Sequence, residues 1–418
     1  MEKRQNRILL CLCHLSGNEQ KFVQEAFDTN WVVPLGPNVN GFEKDLEEFV
    51  GQNKRVVALS AGTAAVHLAL LNCGVGPGDE VLVQSFTFCA SSHPVTYLGA
   101  KPVFIDSEKE TWNMDPELLE KAIIDRKEKT GKYPKAIVPV ALYGMPYKID
   151  KIMAIADKYC IPVVEDAAEG FGSKFNGQVL GTFGKYGVLS FNGNKMITTS
   201  GGGALITENE DEWREIMMYA TQYRESYPYY QHEKIGYNYR MSNICAGIGR
   251  GQMTIVDEHI AHHKKVQKLY EELLKDVKGI AVHSQPATGE YNSNYWLCTM
   301  TIDPDVKVKG QKNAYKQVIN GAVGGAAGVI HAASSAITDC QPNDNVEAMR
   351  MGLDALNIES RPLWKPMHKQ PVYKNAPAYV NGVSEDLFKV GMCLPAGPYV
   401  KEDDVRFIVE AIKSLIEA

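Results

Sequence analysis

Apolar residues in this chain fall into short blocks that switch between two spacings. Val56-Val57-Ala58-Leu59 is a continuous apolar run, as in a strand buried on both faces, and Thr63–Leu71 follows it at helix length. The switch recurs along the chain. Strand Val81–Val83 precedes helical Ala90–Tyr97; strand Pro102–Ile105 precedes a helix around Pro116–Lys127; strand Ala136–Val140 precedes helix Ile149–Tyr159 and strand Pro162–Val164. Such alternation predicts an α/β fold with a mostly parallel central sheet covered by helices on both faces. Val188–Ser190 and Ala204–Ile206 read as further strands. Upstream, Ser16 is placed to cap a helix carrying Phe22, Val23, Ala26 and Phe27 on one face, and another helix covers Phe42–Val50.

A long helical pattern over Ile244–Leu274 leaves this alternation. The C-terminal remainder reads as a smaller α+β unit, with a strand at Trp296–Ile302 and helices near Val346–Leu356 and Asp403–Ile416. The expected division is therefore a large α/β domain over 1–255 and a small C-terminal domain over 256–418. Gly321-Ala322-Val323-Gly324-Gly325-Ala326-Ala327-Gly328 has the glycines of a nucleotide loop but neither the early strand nor the following acid that such a loop needs. It reads as an insertion in the small domain, near 318–345.

Composition narrows the partners. The 418 residues carry a net charge of −6 with basic and acidic residues interspersed, so no basic stripe points to nucleic acid. The runs Arg126–Lys132 and His262–Lys265 read as solvated helix faces. Nine cysteines scattered through the chain fit reduced thiols and a cytoplasmic protein better than a disulfide framework. Cys11-Leu12-Cys13-His14 lacks a second ligand pair and reads as a strand with alternating thiols, not a metal site. Ile8–Leu15 is too short to span a bilayer, and no segment reads as transmembrane.

The chemistry concentrates in one loop. Lys195 stands in Ser190-Phe191-Asn192-Gly193-Asn194-Lys195-Met196, ahead of Gly201-Gly202-Gly203, while Val163-Val164-Glu165-Asp166 ends a strand in two carboxylates. A lysine in a Gly-rich polar loop and a strand-end Asp are what pyridoxal phosphate (PLP) chemistry needs. The amine bonds to the cofactor aldehyde, and the carboxylate keeps the pyridine nitrogen protonated. Ser60-Ala61-Gly62-Thr63 lies at a strand-to-helix junction, where free N–H groups and the helix dipole suit a phosphate as well as an ordinary cap. Ser85-Phe86-Thr87-Phe88 follows the next strand and offers an aromatic face. Asp166 and Glu169 are spaced to face one pocket.

These pieces occur in order with NWVVPLGPNVNGFE from Asn30, SAGTAAVHLAL from Ser60, SFTF from Ser85, ALYG from Ala141 and VEDAAEGFGS from Val164. LGTFGKYGVLSFNGNKMITTSGGGAL from Leu180, GYNYRMSN from Gly236 and RPLWKPMHKQPVY from Arg361 complete the set. The set resembles the DegT/DnrJ/EryC1/StrS nucleotide-sugar aminotransferases, PLP enzymes of fold type I, over nearly the whole chain except the small-residue insertion. Within that family the wording around Lys195 and Arg361–His368 is most similar to the 4-aminotransferases of UDP-N-acetylbacillosamine pathways. The resemblance implies that Lys195 is the Schiff-base lysine and Asp166 the pyridine partner, with Gly62, Thr63 and Ser190 at the phosphate and Phe88 stacked on the ring. It implies that Asn238 reaches the phosphate of a neighbouring subunit, hence a homodimer with shared sites, and that Arg240 and His368 lie near the substrate. Glu169 departs from the His or Gln of many members, beside the cofactor hydroxyl or the sugar. The implied reaction moves an amino group from L-glutamate to a keto-sugar nucleotide. Dehydratases of the family replace the lysine by histidine, so its presence favours amino transfer. A nicotinamide-dependent dehydrogenase would need more glycines than Ser60–Ala65 contains; a non-catalytic regulator on the same fold is the other alternative.

Overall fold

A computed structural model describes residues 1–315 and 340–417. Its centre is one sheet assembled from two four-stranded ladders. In the first, Ala378–Tyr379, Lys101–Ile105, Glu80–Gln84 and Ala136–Val138 lie side by side, all parallel. Parallel bridges from Ile137 to Val163 and from Val140 to Asp166 carry the sheet on to Val164–Asp166. Tyr186–Ser190 pairs parallel with that strand, and Gly203–Thr207 and Arg55–Leu59 close the sheet antiparallel. The mostly parallel sheet follows from strands apolar on both faces: Val56–Leu59, Val81–Gln84 and Pro102–Ile105 are wholly buried. Helix Gly62–Asn72, buried from Ala64 to Leu70, packs across Tyr186–Ser190 and Gly203–Thr207.

A second sheet is antiparallel, in the order Ile280–Val282, Cys298–Ile302, Gly391–Leu394, Arg361–Pro362. Helices Val256–Leu274, Asp344–Ala355 and Glu402–Leu415 share its apolar cluster. Two segments interleave across residue 255. Ile8 joins the second cluster and bridges to Ile358, while Ala378–Tyr379 returns to the edge of the large sheet. The small-residue run from Gly321 lies outside the described residues.

Several local expectations change. The helix expected over Ala90–Tyr97 is a 3-10 turn, Cys89–Ser91, followed by His93–Tyr97; Pro94 has no N–H and sits where a helix begins. The pattern over Ile244–Leu274 is two helices, Asn243–Met253 and Val256–Leu274, broken at Ile255. The first of these is rich in glycine because it packs closely: a Cβ on Gly249 would stand 2.7 Å from the Phe42 ring. Ser16 does not cap the first helix. Glu19, its first residue, reaches back to accept the N–H groups of Ser16 at 2.8 Å and Gly17 at 3.0 Å. Cys11–His14 joins no ladder; the neighbouring Leu10 carbonyl accepts from Ala396 and Gly397. His262–Lys265 is not a solvated face throughout, since His263 is buried and burial pulls its pKa down to about 3. Arg126 likewise makes a two-pronged contact with Glu80, at 2.7 and 2.8 Å.

Strand Tyr186–Ser190 delivers Ser190 to the sheet end and passes the Gly181 turn at Gly187, where a Cβ would overlap the Gly181 carbonyl. Gly187→Ala is expected to cost about 1–3 kcal/mol in chemical denaturation, as overpacking of a closed core does. Wild-type stability would show that the turn yields freely.

Candidate active site

The strand ends of the large sheet open onto a cavity of about 380 Å³, in the range of small-molecule sites. The pleat sorts the two carboxylates of Val164–Asp166. Glu165 turns away and accepts the N–H groups of Gly181, Phe183 and Gly184 at 3.1, 2.6 and 2.6 Å. Asp166 turns into the cavity. One of its oxygens accepts the Ser91 hydroxyl at 2.6 Å and the other the Ala168 N–H at 3.1 Å. Both are neutral donors, and burial raises the pKa of Asp166 above the usual carboxylate value.

Lys195 enters from the loop after Tyr186–Ser190, whose ends are joined by the Thr199 N–H to Phe191 carbonyl bond of 2.9 Å. Its Nζ lies 3.5 Å from Glu169 Oε1 and 4.2 Å from the centre of the Trp296 ring. Glu169 Oε2 accepts the Tyr143 N–H at 2.7 Å, from a backbone held at φ +53°. Burial raises the Glu169 pKa, and the nearby ammonium opposes that shift. At the other end, helix Gly62–Asn72 starts with no side-chain cap on Ala61, leaving first-turn N–H groups for an anion. Ser190 abuts it: a Cβ on Gly62 would meet Ser190 Oγ at 3.4 Å. Half-exposed Phe88 forms a wall, its ring 5.2 Å from Trp364.

The structure thus brings together Lys195, Gly62, Thr63, Phe88, Asp166, Glu169 and Ser190. It does not bring Arg240 or His368 into this cavity, and Asn238, expected at a second copy's site, is also not among its lining residues. Arg240 is buried in an ion pair with Glu43 and donates to the Ala58 carbonyl at 3.0 Å, so its charge is spent inside the fold. His368 stands between Ser85 Oγ at 2.6 Å and Glu385 at 3.2 Å. Asn238 bridges to Thr221, away from this lysine. Ser91, Trp296 and Trp364 line the cavity and were not singled out from the sequence. The tryptophans follow Lys195 by more than a hundred residues, and no local pattern links them to it.

A family model, the DegT/DnrJ/EryC1/StrS aminotransferase family, matches residues 14–326 and 320–413. The chain belongs to that family. It is 42% identical to EpsN of Bacillus subtilis over 413 residues, covering 98% of this chain and 96% of that protein. It is 33% identical to the GDP-perosamine synthase of Caulobacter vibrioides over 411 residues, 98% of each chain. A family aminotransferase from Brucella abortus superimposes with a TM-score of 0.80 at 27% identity, over 95% of each chain. The fold is that of the PLP-dependent aminotransferases of fold type I, and this chain is a PLP-dependent sugar aminotransferase. The cavity fits the cofactor. It offers an uncapped helix start for a phosphate, an aromatic wall for a ring, an amine for an aldehyde, and a buried carboxylate with no cation of its own for a ring nitrogen.

Arg240 separates a structural from a substrate role. Arg240→Met leaves Glu43 buried and unpaired, and is expected to cost about 3–5 kcal/mol in denaturation with the sugar KM little changed. A raised KM at unchanged stability would instead place Arg240 against the substrate.

Proposed function

We propose that this aminotransferase takes an amino group from L-glutamate and places it on C4 of a UDP-linked 4-keto-6-deoxy-N-acetylhexosamine. Amino transfer is supported above all by the Lys195 amine lying within a buried cavity beside Glu169 and Asp166. When bound, PLP supplies an aldehyde that accepts the donor's amino group and an electron-poor ring that takes up the electrons of the broken C–H bond. Gly62, Thr63 and Ser190 would hold the phosphate and Phe88 one ring face. Asp166 would accept the ring N–H and keep that proton in place. Lys195 Nζ would take the proton from the carbon that bears the amino group, and the adjacent Glu169 carboxylate would hold the resulting ammonium within reach.

The sugar assignment is supported by the wording of Asn192–Gly203 and Arg361–His368. A GDP-linked, perosamine-type sugar is the second reading, favoured by the perosamine synthase relative. A homodimer is part of the proposal: Asn238 would reach the phosphate of the second copy's site. It adjoins a segment exposing Tyr227, Tyr229, Tyr230 and Ile235, apolar surface that a second copy would cover. The scattered cysteines, none of them in a disulfide among the described residues, suit a cytoplasmic enzyme.

Sugar choice is tested by converting the enzyme to its pyridoxamine form with glutamate and offering UDP-, dTDP- and GDP-linked 4-keto-6-deoxy sugars and a 3-keto sugar. A site that hydrogen-bonds its base rejects an unmatched one by factors up to about 10⁴. The UDP-linked sugar is expected to restore the cofactor spectrum fastest. The GDP sugar winning would make the perosamine reading correct, and the 3-keto sugar winning would end the C4 assignment. Mixing Lys195→Ala with Asn238→Ala protein is expected to regenerate activity, since some sites then carry both native residues. No recovery, with subunit exchange verified by mass, would count against a shared site.

A further inference from the structure

The two residues flanking Lys195 are each caught by a ring N–H from a distant part of the chain. Trp296 Nε1 donates to the Asn194 carbonyl at 2.7 Å. His259 Nδ1 lies 3.1 Å from the Met196 carbonyl, and because a carbonyl only accepts, that nitrogen carries the proton. In the neutral ring Nε2 then has a lone pair, and it faces His14 Nδ1 at 3.1 Å, which donates to it. Burial lowers the His259 pKa, consistent with a neutral ring in this tautomer. Trp296 and His259 are themselves fixed by packing, both buried, the indole lying near-parallel to Tyr143 with ring centres 6.5 Å apart. The same indole that grips Asn194 also presents its face to Lys195 Nζ at 4.2 Å.

We propose that Trp296 and His259 are positioning residues that clamp the lysine loop through the Asn194 and Met196 carbonyls, with the Trp296 face as the resting place of the free Lys195 ammonium. Neither ring needs to touch substrate to do this. Lys195 has two tasks, covalent anchor and proton carrier, and its Nζ moves between them. With the backbone held at a carbonyl on each side, the side chain swings while its root stays still. The inference rests on the cofactor chemistry of the site and not on which sugar is used.

The test uses the full chain stripped of cofactor, with two readouts. One is the rate at which Lys195 captures PLP, read by borohydride reduction and peptide mass. The other is the dissociation constant for pyridoxamine phosphate, which fills the same cavity but forms no bond to the lysine. In Trp296→Leu and His259→Leu, capture is expected to slow about tenfold or more, since small misplacements of a reacting group carry such penalties. Pyridoxamine phosphate affinity should stay within about threefold in His259→Leu, because His259 is not among the cavity's lining residues and the cradle is intact. His259→Asn, which keeps an N–H for Met196, should recover most of the rate. Wild-type capture in both leucine variants overturns the clamp. So does a loss of pyridoxamine phosphate affinity in step with capture in His259→Leu, which would make that ring merely structural. Should the leucine variants not fold, Trp296→Phe decides: it keeps a ring face but donates nothing to Asn194, and an unchanged capture rate would refute the proposal.

Discussion

Two buried carboxylates share one ammonium in this cavity, and that imbalance constrains everything around it. Removing a carboxylate from water costs several kcal/mol unless a cation or good donors replace the lost hydration. Glu169 has the Lys195 amine and a backbone N–H. Asp166 accepts from the neutral Ser91 hydroxyl and Ala168 N–H, and burial raises its pKa although the more distant Lys195 charge opposes the shift. A protonated pyridine nitrogen beside Asp166 would restore the balance, which is the role the proposed function gives that carboxylate.

The fold supplies the accuracy this arrangement needs. Asp166 is fixed by its register opposite Val188 and by the bridge to Val140, while the pleat sends Glu165 to the Gly181–Gly184 turn instead. The segment entering the second sheet locks the site from the far side. The Asn294 side chain donates to the carbonyls of Glu169 and Phe171, each at 2.9 Å, and its Oδ1 accepts the Trp296 backbone N–H. Residues from both halves of the chain therefore set the distance between the lysine and its carboxylate.

Much of this was legible in the sequence for a definite reason. Strands such as Arg55–Leu59 and Glu80–Gln84 are buried on both faces, so their apolar runs announce them, and the residues that line the cavity sit largely at or just beyond strand ends. What escaped depends on long-range contact. Trp296 reaches the Lys195 loop only through the tertiary fold, and Ser91 finds Asp166 only because two parallel strands end together. Arg240 shows the converse: it stands within a recognisable motif, but a motif does not say which way a side chain turns, and this one turns to Glu43. The cap at Ser16 failed because the helix starts later, at Glu19: Ser16 Oγ accepts the Asn18 N–H at 2.9 Å, ahead of the first turn, and Glu19 ties the entering backbone by accepting from Ser16 and Gly17.

The most direct test of the charge account is the protonation state of the cofactor nitrogen. Isotope-labelled PLP loaded into the native enzyme and into Asp166→Asn would report it through the nitrogen chemical shift near neutral pH. A protonated ring nitrogen in the native enzyme and a deprotonated one in Asp166→Asn is the predicted result. The same protonation state in both proteins would contradict it.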